Sequence, residues 1–310
     1  MNKKLVVKPS GIGGQAVLEG VMMKNRDRYA VAVRKPDGEI EVEKGHCQSL
    51  RDKYFVCDLP IIRGVVTFVE SLVLGMKSLT DSSKYYEDEE EENRQQMDDV
   101  AKERHEKIET TFTVILSIVL AVGIFMVLPF FISELLKSII KSAKVLAVIE
   151  GIIRIILFIG YVFAISFVED IKRVFMYHGA EHKTINCVEH MLPLTVENVR
   201  KQSREHKRCG TSFIFIVLFI SIIFFIFIRV DNMWLKVLYR IVLVPVIAGV
   251  SYEFIRLAGK SENALVNILS KPGMMLQKLT TKEPDDSMIE VAIASVEAVF
   301  DWKKFQEDSK

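Results

Sequence analysis

Two histidines and a glutamate are clustered in the segment Tyr177–Lys183, which reads Tyr-His-Gly-Ala-Glu-His-Lys. In a helix, His178 and His182 project from one face, at the spacing with which two imidazoles can bind one metal ion. With Glu181 they follow the H-x-x-E-H order of the inverted zinc peptidases, in which the glutamate accepts a proton from water. The segment predicts a divalent metal site, most naturally for Zn²⁺, with Glu181 as the catalytic base. The alternative is a charged helix beside a membrane, with these side chains solvated.

A third metal ligand is sought among the residues that follow. Glu189 lies seven residues beyond His182, about 10 Å along a helix, so it is the second choice. His206 and Cys209 are better placed, because a loop can return them to the helix. If both bind, the shell is closed and the site is structural; if only one binds, a position stays open for water and catalysis becomes possible. Cys209 is alternatively a small buried apolar residue.

The glycine-rich segment Ser10–Met23 is the other unusual stretch. Glycines permit close backbone approach, but neither a Lys-Ser/Thr pair nor the Rossmann spacing follows, so no nucleotide site is predicted. A tight turn is expected instead. If the segment is helical, Gln15 and Glu19 face a polar site together, and Glu19 becomes an outside candidate for the metal centre.

The elements that must position these residues include membrane helices. The chain of 310 residues is 50% hydrophobic with a mean hydropathy of +0.23, and its net charge of +1 argues against dedicated nucleic-acid binding. Residues 111–132 and 211–228 carry no charge, and a bilayer requires about 20 helical residues. Two further apolar stretches, 145–168 and 235–257, carry charges that include Glu150, Arg154, Arg240 and Glu253. The pattern predicts four spans.

The segment before the first span is expected to be a small α+β part. Tyr29–Arg34 and Glu39–Glu43 alternate around a Lys-Pro-Asp-Gly turn, which predicts a β-hairpin. Residues 60–79 predict an amphipathic helix, packed on the membrane bundle or lying in the membrane interface. Residues 81–110 are predicted to be an acidic linker or exposed helix, centred on Glu87–Glu92.

Charge asymmetry predicts the orientation in the membrane. The loop at 169–210 contains eight Lys and Arg, whereas 133–144 contains three and 229–234 contains one. The positive-inside rule places the loop and both termini in the cytoplasm, and no apolar signal-peptide region follows the start of the chain. All four cysteines then lie on or near the reducing side, which argues against a disulfide framework.

Several of these motifs resemble the YqhQ-like family of bacterial membrane proteins, a domain-of-unknown-function family often described as metal-dependent enzymes. The resemblance spans nearly the whole chain and rests on residues 13–23, Arg63-Gly64, residues 177–183, residues 209–213 and residues 290–293. It implies a multi-pass protein of the bacterial cell membrane and little about function. One departure is Lys207, where the family pattern leads us to expect proline, so the turn at His206 is expected to be less rigid.

We therefore expect an α-helical integral membrane protein with a small cytoplasmic α+β N-terminal part. Its predicted regions are 1–80 (hairpin and amphipathic helix), 81–110 (linker), 111–257 (four-span bundle with the His-rich loop 169–210) and 258–310 (cytoplasmic tail). The leading hypothesis is a cytoplasm-facing metal-dependent hydrolase. The rivals are a scaffold or assembly factor that binds a protein partner and has a structural metal site, and a transporter that uses Glu150, Arg154, Arg240 and Glu253. The sequence specifies no substrate.

Overall fold

A computed structural model describes residues 8–86, 99–228, 230, 232–259 and 263–308. Its strands are β1 Gly13–Val17, β2 Gly20–Asn25, β3 Arg28–Arg34 and β4 Ile40–His46. Its α-helices are α1 Leu50–Lys53, α2 Ile62–Ser83, α3 Asp99–Val122, α4 Leu128–Leu135, α5 Ala143–Ile165, α6 Glu169–Glu189, α7 Val196–Arg200, α8 Gly210–Ile226, α9 Met233–Ala258, α10 Ala264–Thr280, α11 Asp286–Val299 and α12 Trp302–Glu307. A π turn at Gly123–Val127 joins α3 to α4, and the acidic run Glu87–Glu92 lies outside the described residues.

The four strands form one antiparallel sheet in the order β1-β2-β3-β4. The predicted hairpin is confirmed: β3 pairs with β4, and Gly38 in the turn has a φ of +88°. A second hairpin, β1 with β2, occupies the glycine-rich segment. The alternative that this segment is a helix, with Gln15 and Glu19 on one face, is therefore wrong. The expected tight turn is present, but Leu18 and Glu19 form it instead of glycines.

In the part of the chain that the structure describes, three helical segments are long and apolar enough to cross a membrane: Ile108–Ser138, Ala143–Ile165 and Met233–Ala258. Many of their large apolar side chains are exposed, among them Phe112, Ile156 and Val242. Large contiguous apolar surfaces are rare on water-exposed proteins, so this exposure fits a lipid environment. The remaining predicted span is α8, whose 17 residues measure about 26 Å and fall short of the expected length.

The helix of the second span does not continue through His178. It ends at Ile165, and α6 begins separately at Glu169 after Val168 adopts extended backbone angles. Glu169 and Asp170 lie in the first turn of α6, where acidic side chains favour a helix N-terminus. This break allows α6 to take its own direction.

The chain divides into two compact units, one made of residues 1–86, 162–217 and 248–310 and the other of 87–161 and 218–247. In the first unit, one face of the sheet packs on α6 and α11 through residues such as Val21, Met23 and Ile289. The opposite face contacts Leu74 of α2. Burial on both faces explains why β3 reads as a continuous apolar run.

Helix α2 begins two residues later than predicted, and of the two predicted positions of its apolar stripe, packed on the membrane bundle or lying in the membrane interface, the exposed side chains fit the interface. In the structure, Val69, Val73 and Met76 are exposed, whereas Gly75 and Ser78 are buried. Gly75 lies against the side chain of Gln15, where an added Cβ would collide with the amide. Leu74 and the small residue Gly75 therefore contact the sheet, whereas Val69, Val73 and Met76 of the apolar stripe stay exposed.

A network of buried charges lies in the second unit. Arg154 and Arg240 donate to the two carboxylate oxygens of Glu150 at 2.9 and 2.6 Å, and Arg154 also donates to Ser221 at 2.8 Å. Glu150 and Arg154 are both buried and therefore shelter each other from apolar surroundings. The transporter hypothesis would use these same charges. In the structure they bind one another, because an unpaired charge in apolar surroundings is costly.

Candidate metal centre

Helix α6 carries the motif and is the most enclosed helix of the first unit. Every residue from Gly179 to Glu189 is buried, and so is Tyr177. The solvated-helix alternative does not fit this burial. The lack of a side chain at Gly179 allows α6 to pack closely on the backbone of Lys282, because a Cβ at position 179 would lie 2.0 Å from the carbonyl oxygen of Lys282.

The two histidines of the motif are held in the same way. Nδ1 of His178 lies 2.9 Å from the carbonyl oxygen of Thr280, and Nδ1 of His182 bonds the carbonyl of Arg204. Because a carbonyl can only accept, both rings donate from Nδ1, and in its neutral form each ring presents an unprotonated Nε2. Metal-binding histidines are commonly oriented by such a backbone bond. Burial also lowers the pKa of His182, which favours the neutral ring that a metal requires.

Cys209 joins the two histidines from the start of α8. Its Sγ lies 3.3 Å from Nε2 of His178, and one ligand atom from each of the three residues lies within 4.8 Å of the others. Metal–ligand bonds of about 2.0 to 2.3 Å in a tetrahedron separate neighbouring ligand atoms by roughly 3.5 Å. The backbone N–H of Thr211 donates to Sγ at 3.4 Å. The donor set and its spacing therefore fit a zinc-sized ion.

Glu181 is buried beside the histidines. Its Oε2 has no hydrogen-bond partner among the described residues, and its side chain lies against Gly14 of β1, where a Cβ would approach within 2.8 Å. Burial raises the pKa of Glu181 to about 7, partly offset by the charge of His178. A buried carboxylate oxygen without a hydrogen-bond partner lowers the stability of the fold, so the presence of Glu181 at this position requires an explanation.

His206 and Glu189 form a pair instead of joining the three-residue cluster. The ring of His206 lies 5.8 Å from that of His182, and its Nε2 faces Glu189 at 3.4 Å. Glu189 also accepts from the backbone and hydroxyl of Ser10, both at 2.8 Å, and pairs with Arg208. The expected loss of rigidity at Lys207 is offset, since Gln277 accepts from the N–H of His206 and donates to its carbonyl, both at 2.8 Å.

The remaining predicted site residues lie apart from the cluster. Glu19 pairs with Arg173 and accepts from the hydroxyl of Tyr177 at 3.2 Å. Gln15 packs on α2, and Glu253 accepts two hydrogen bonds from Arg63 at 2.5 Å each. Their polar atoms are thus engaged elsewhere.

Sequence reasoning missed the groups that orient the histidines. Both are backbone carbonyls, of Thr280 and Arg204, and a carbonyl leaves no trace in residue type. Gln277 and Gly14 were also missed. For Gly14 a signal existed, since a glycine pair often marks a close backbone approach.

The fold and the cluster define a class: proteins in which helices long and apolar enough to span a membrane are combined with a small sheet and a buried His-His-Cys cluster. The chain belongs to the family described as protein of unknown function (DUF1385), whose model matches residues 59–302. It is 37% identical over 296 residues to "Uncharacterized protein YqhQ" of Bacillus subtilis (strain 168), covering 93% of this chain and 91% of that protein. No solved structure matches the chain.

Proposed function

We propose that this protein is a membrane-bound, metal-dependent hydrolase in which His178, His182 and Cys209 hold Zn²⁺ and Glu181 acts as the general base. One observation carries the proposal. The two histidines are fixed through Nδ1 by backbone carbonyls, and their ring nitrogens converge with Cys209 Sγ within 4.8 Å. A solvated pair of histidines needs neither arrangement, and a buried pair without a metal needs hydrogen-bond partners but no thiol within ligand distance.

The number of ligands favours catalysis over a closed structural shell. Three protein ligands leave one position of a tetrahedron for water, as in catalytic zinc sites. His206, the residue that would close the shell, is engaged with Glu189. When bound, the ion supplies Lewis-acid activation of water.

Glu181 supplies a carboxylate oxygen that no other described group uses. Oε2 is buried and unpartnered, and Glu181 immediately precedes His182 on α6. A carboxylate in this position can accept a proton from water and return it to a leaving group, which is the usual role of a general base in hydrolysis. Gly14 leaves the room that this side chain occupies.

Metal analysis of the full-length protein, purified in detergent without chelators or added metal, tests the ligand set. We expect about one zinc per chain in the wild type, and loss of most of it in His182→Ala and Cys209→Ser. His190→Gln is the matched control, because His190 ends the same helix and its Nδ1 bonds Gln202 at 2.8 Å. The control should keep its metal, and His206→Gln should keep it too.

Glu181→Gln separates an enzyme from a structural site. An enzyme predicts that this variant keeps its zinc and fails to complement the phenotype of a deletion strain. A scaffold with a structural metal predicts that the variant complements fully and that His206 is required for metal. Absence of zinc from the wild type, with His182→Ala and Glu181→Gln both complementing, would overturn both metal hypotheses and favour the scaffold.

A further inference from the structure

A second site with a different chemistry lies in the first unit. Among the described residues, a pocket of about 980 Å³ is lined by four arginines, Arg26, Arg28, Arg208 and Arg256, and by one acidic side chain, Asp27. Its volume is at the upper end of the range for small-molecule sites. None of the candidate metal ligands lines it.

The positive charge of this pocket is only partly compensated. Arg208 pairs with Glu189. Arg256 lies 3.8 Å from Glu253, a carboxylate that already accepts two hydrogen bonds from Arg63. The side chains of Arg26 and Arg28 have no ion-pair partner among the described residues, so the pocket presents an excess of cationic donors.

The backbone places one of these arginines at a conformational cost. Arg26 is in the turn between β2 and β3 and has a φ of +56°, a left-handed conformation that glycine and asparagine adopt more readily. Strained positions of this kind concentrate at ligand sites. Arg26 thus occupies a turn position at which the backbone conformation favours glycine.

Apolar and aromatic side chains also line the pocket, and some of them belong to a candidate membrane helix. Phe300 and Phe305 line it together with Tyr252 and Ile255, which lie in the last turns of α9. The end of a membrane-spanning helix lies at the depth of the lipid headgroups. A pocket lined by both apolar side chains and arginines at this depth matches an amphiphile with a negatively charged head.

We propose that this pocket binds the phosphate headgroup of an anionic phospholipid, with Arg26 and Arg28 contacting the phosphate and the aromatic side chains contacting the adjoining glycerol and acyl carbons. Arginine forks suit phosphate geometry, and basic pockets beside membrane helices bind anionic headgroups. A soluble phosphate compound shares the head chemistry but does not need the apolar side chains.

Native mass spectrometry of the full-length protein in detergent, titrated with dioleoylphosphatidylglycerol or dioleoylphosphatidylcholine, tests the proposal. We expect the wild type to prefer the anionic lipid, and Arg26→Gly and Arg28→Gln each to weaken that binding about fivefold. Arg26→Gly should keep or raise the melting temperature, because glycine relieves the left-handed backbone. Arg200→Gln is the control, since Arg200 is exposed, pairs with Asp286 and lies outside the pocket.

Equal binding of the two lipids by the wild type, or unchanged binding by both pocket variants, would overturn the proposal. So would inorganic phosphate or glycerol 3-phosphate binding as tightly as the lipid, since the ligand would then be soluble. These readouts do not depend on zinc content or on Glu181. The fate of this proposal is therefore separate from that of the proposed hydrolase.

Discussion

At the scale of single residues, cysteine reactivity reports on the candidate metal centre. Cys47 and Cys57 are partly exposed, whereas Cys187 and Cys209 are buried, and burial raises the pKa of the Cys187 thiol to about 11. In zinc-loaded protein at pH 8 we expect iodoacetamide to modify Cys47 and Cys57 and to spare Cys187 and Cys209. Removal of the metal with a chelator should make Cys209 reactive, as peptide mass spectrometry would reveal.

Cys187 is the internal control for this measurement. Cys187 is not one of the clustered ligand residues, and its Sγ lies against the carbonyls of Leu192 and Pro193, so chelation should leave it unmodified. If Cys209 reacts at one rate before and after chelation, it is not a metal ligand. If Cys187 becomes reactive as well, the chelator has unfolded the protein and a milder one is needed.

Glu189 is expected to stabilise the fold in a pH-dependent way. Burial alone would raise its pKa, but the His206 hydrogen bond and the Arg208 charge outweigh burial and lower the pKa to about 2. The stabilisation is therefore complete above the unfolded-state pKa near 4.5 and is lost as pH falls from there towards 2. Glu189→Gln should cost about 3 kcal/mol at pH 7.

Thermal unfolding in detergent measures this difference. The gap in melting temperature between the wild type and Glu189→Gln should narrow as pH falls below 4.5. Glu197→Gln is the control, because Glu197 forms an exposed pair with Lys201, and exposed pairs contribute little. A gap that is the same at pH 7 and pH 3 would show that packing, not the carboxylate charge, is what the substitution removes.

How far the sequence predicts the candidate site depends on which interactions are local. His178 and His182 share a face because they are four residues apart on one helix, and this follows from helix geometry alone. The choice between Cys209 and His206 depends on the chain returning to α6 and on Gln277, 71 residues away in sequence from His206. Such a long-range contact has no counterpart in the spacing of the motif.

At the scale of secondary-structure elements, the difference between local and long-range interactions also explains why the hairpin β3–β4 was predicted and the hairpin β1–β2 was missed. The turn before β4 contains Pro36 and Gly38, residue types that favour turns. The turn between β1 and β2 contains Leu18 and Glu19, and Glu19 adopts a positive φ of +48° that its residue type does not indicate. Tertiary contacts of Glu19 with Arg173 and Tyr177 hold it there.

The packing of α6 against the segment that follows α10 leads to a prediction for Gly179. A Cβ at Gly179 would meet the carbonyl oxygen of Lys282 at 2.0 Å, so Gly179→Ala must displace that segment. Thr280, whose carbonyl orients His178, lies two residues before Lys282. We expect Gly179→Ala to destabilise the protein by about 1 to 3 kcal/mol and to reduce zinc retention.

The matched control is Gly160→Ala, in the helical interior of α5, where an added Cβ meets nothing within 4 Å. Alanine is the better helix former, so this variant should be neutral or slightly more stable. Thermal unfolding and metal content, measured together on both variants, check the prediction. Gly179→Ala with wild-type melting temperature and full zinc content would contradict the role assigned to this contact.

At the scale of the whole molecule, the packing of the first unit constrains the number of membrane crossings. The sheet near the N-terminus contacts α11 near the C-terminus, and Ser295 of α11 donates to the carbonyl of Ala30 in β3 at 3.0 Å. Helix α6 belongs to the same core. The sheet, α6 and α11 must therefore lie on one side of any membrane, which requires an even number of crossings between each consecutive pair.

This requirement determines what the short helix α8 does if α9 crosses the bilayer. Two long apolar segments separate the sheet from α6, which satisfies the rule. The helices between α6 and the described residues at 263–308 are α7, α8 and α9, and α7 has only five residues, so α8 must cross whenever α9 does. Its length of about 26 Å can be accommodated by local thinning of the bilayer. We therefore predict four crossings, with both termini cytoplasmic by the positive-inside rule.

Reporter fusions to the full chain test this prediction. Green fluorescent protein at either terminus should fluoresce, and alkaline phosphatase inserted at Lys141 or at Asn232 should be active, because both positions lie between apolar helices on the far side. An active phosphatase at the C-terminus together with a fluorescent N-terminus would indicate an odd number of crossings. That result would contradict the shared core of the sheet and α11, since those elements could not then meet.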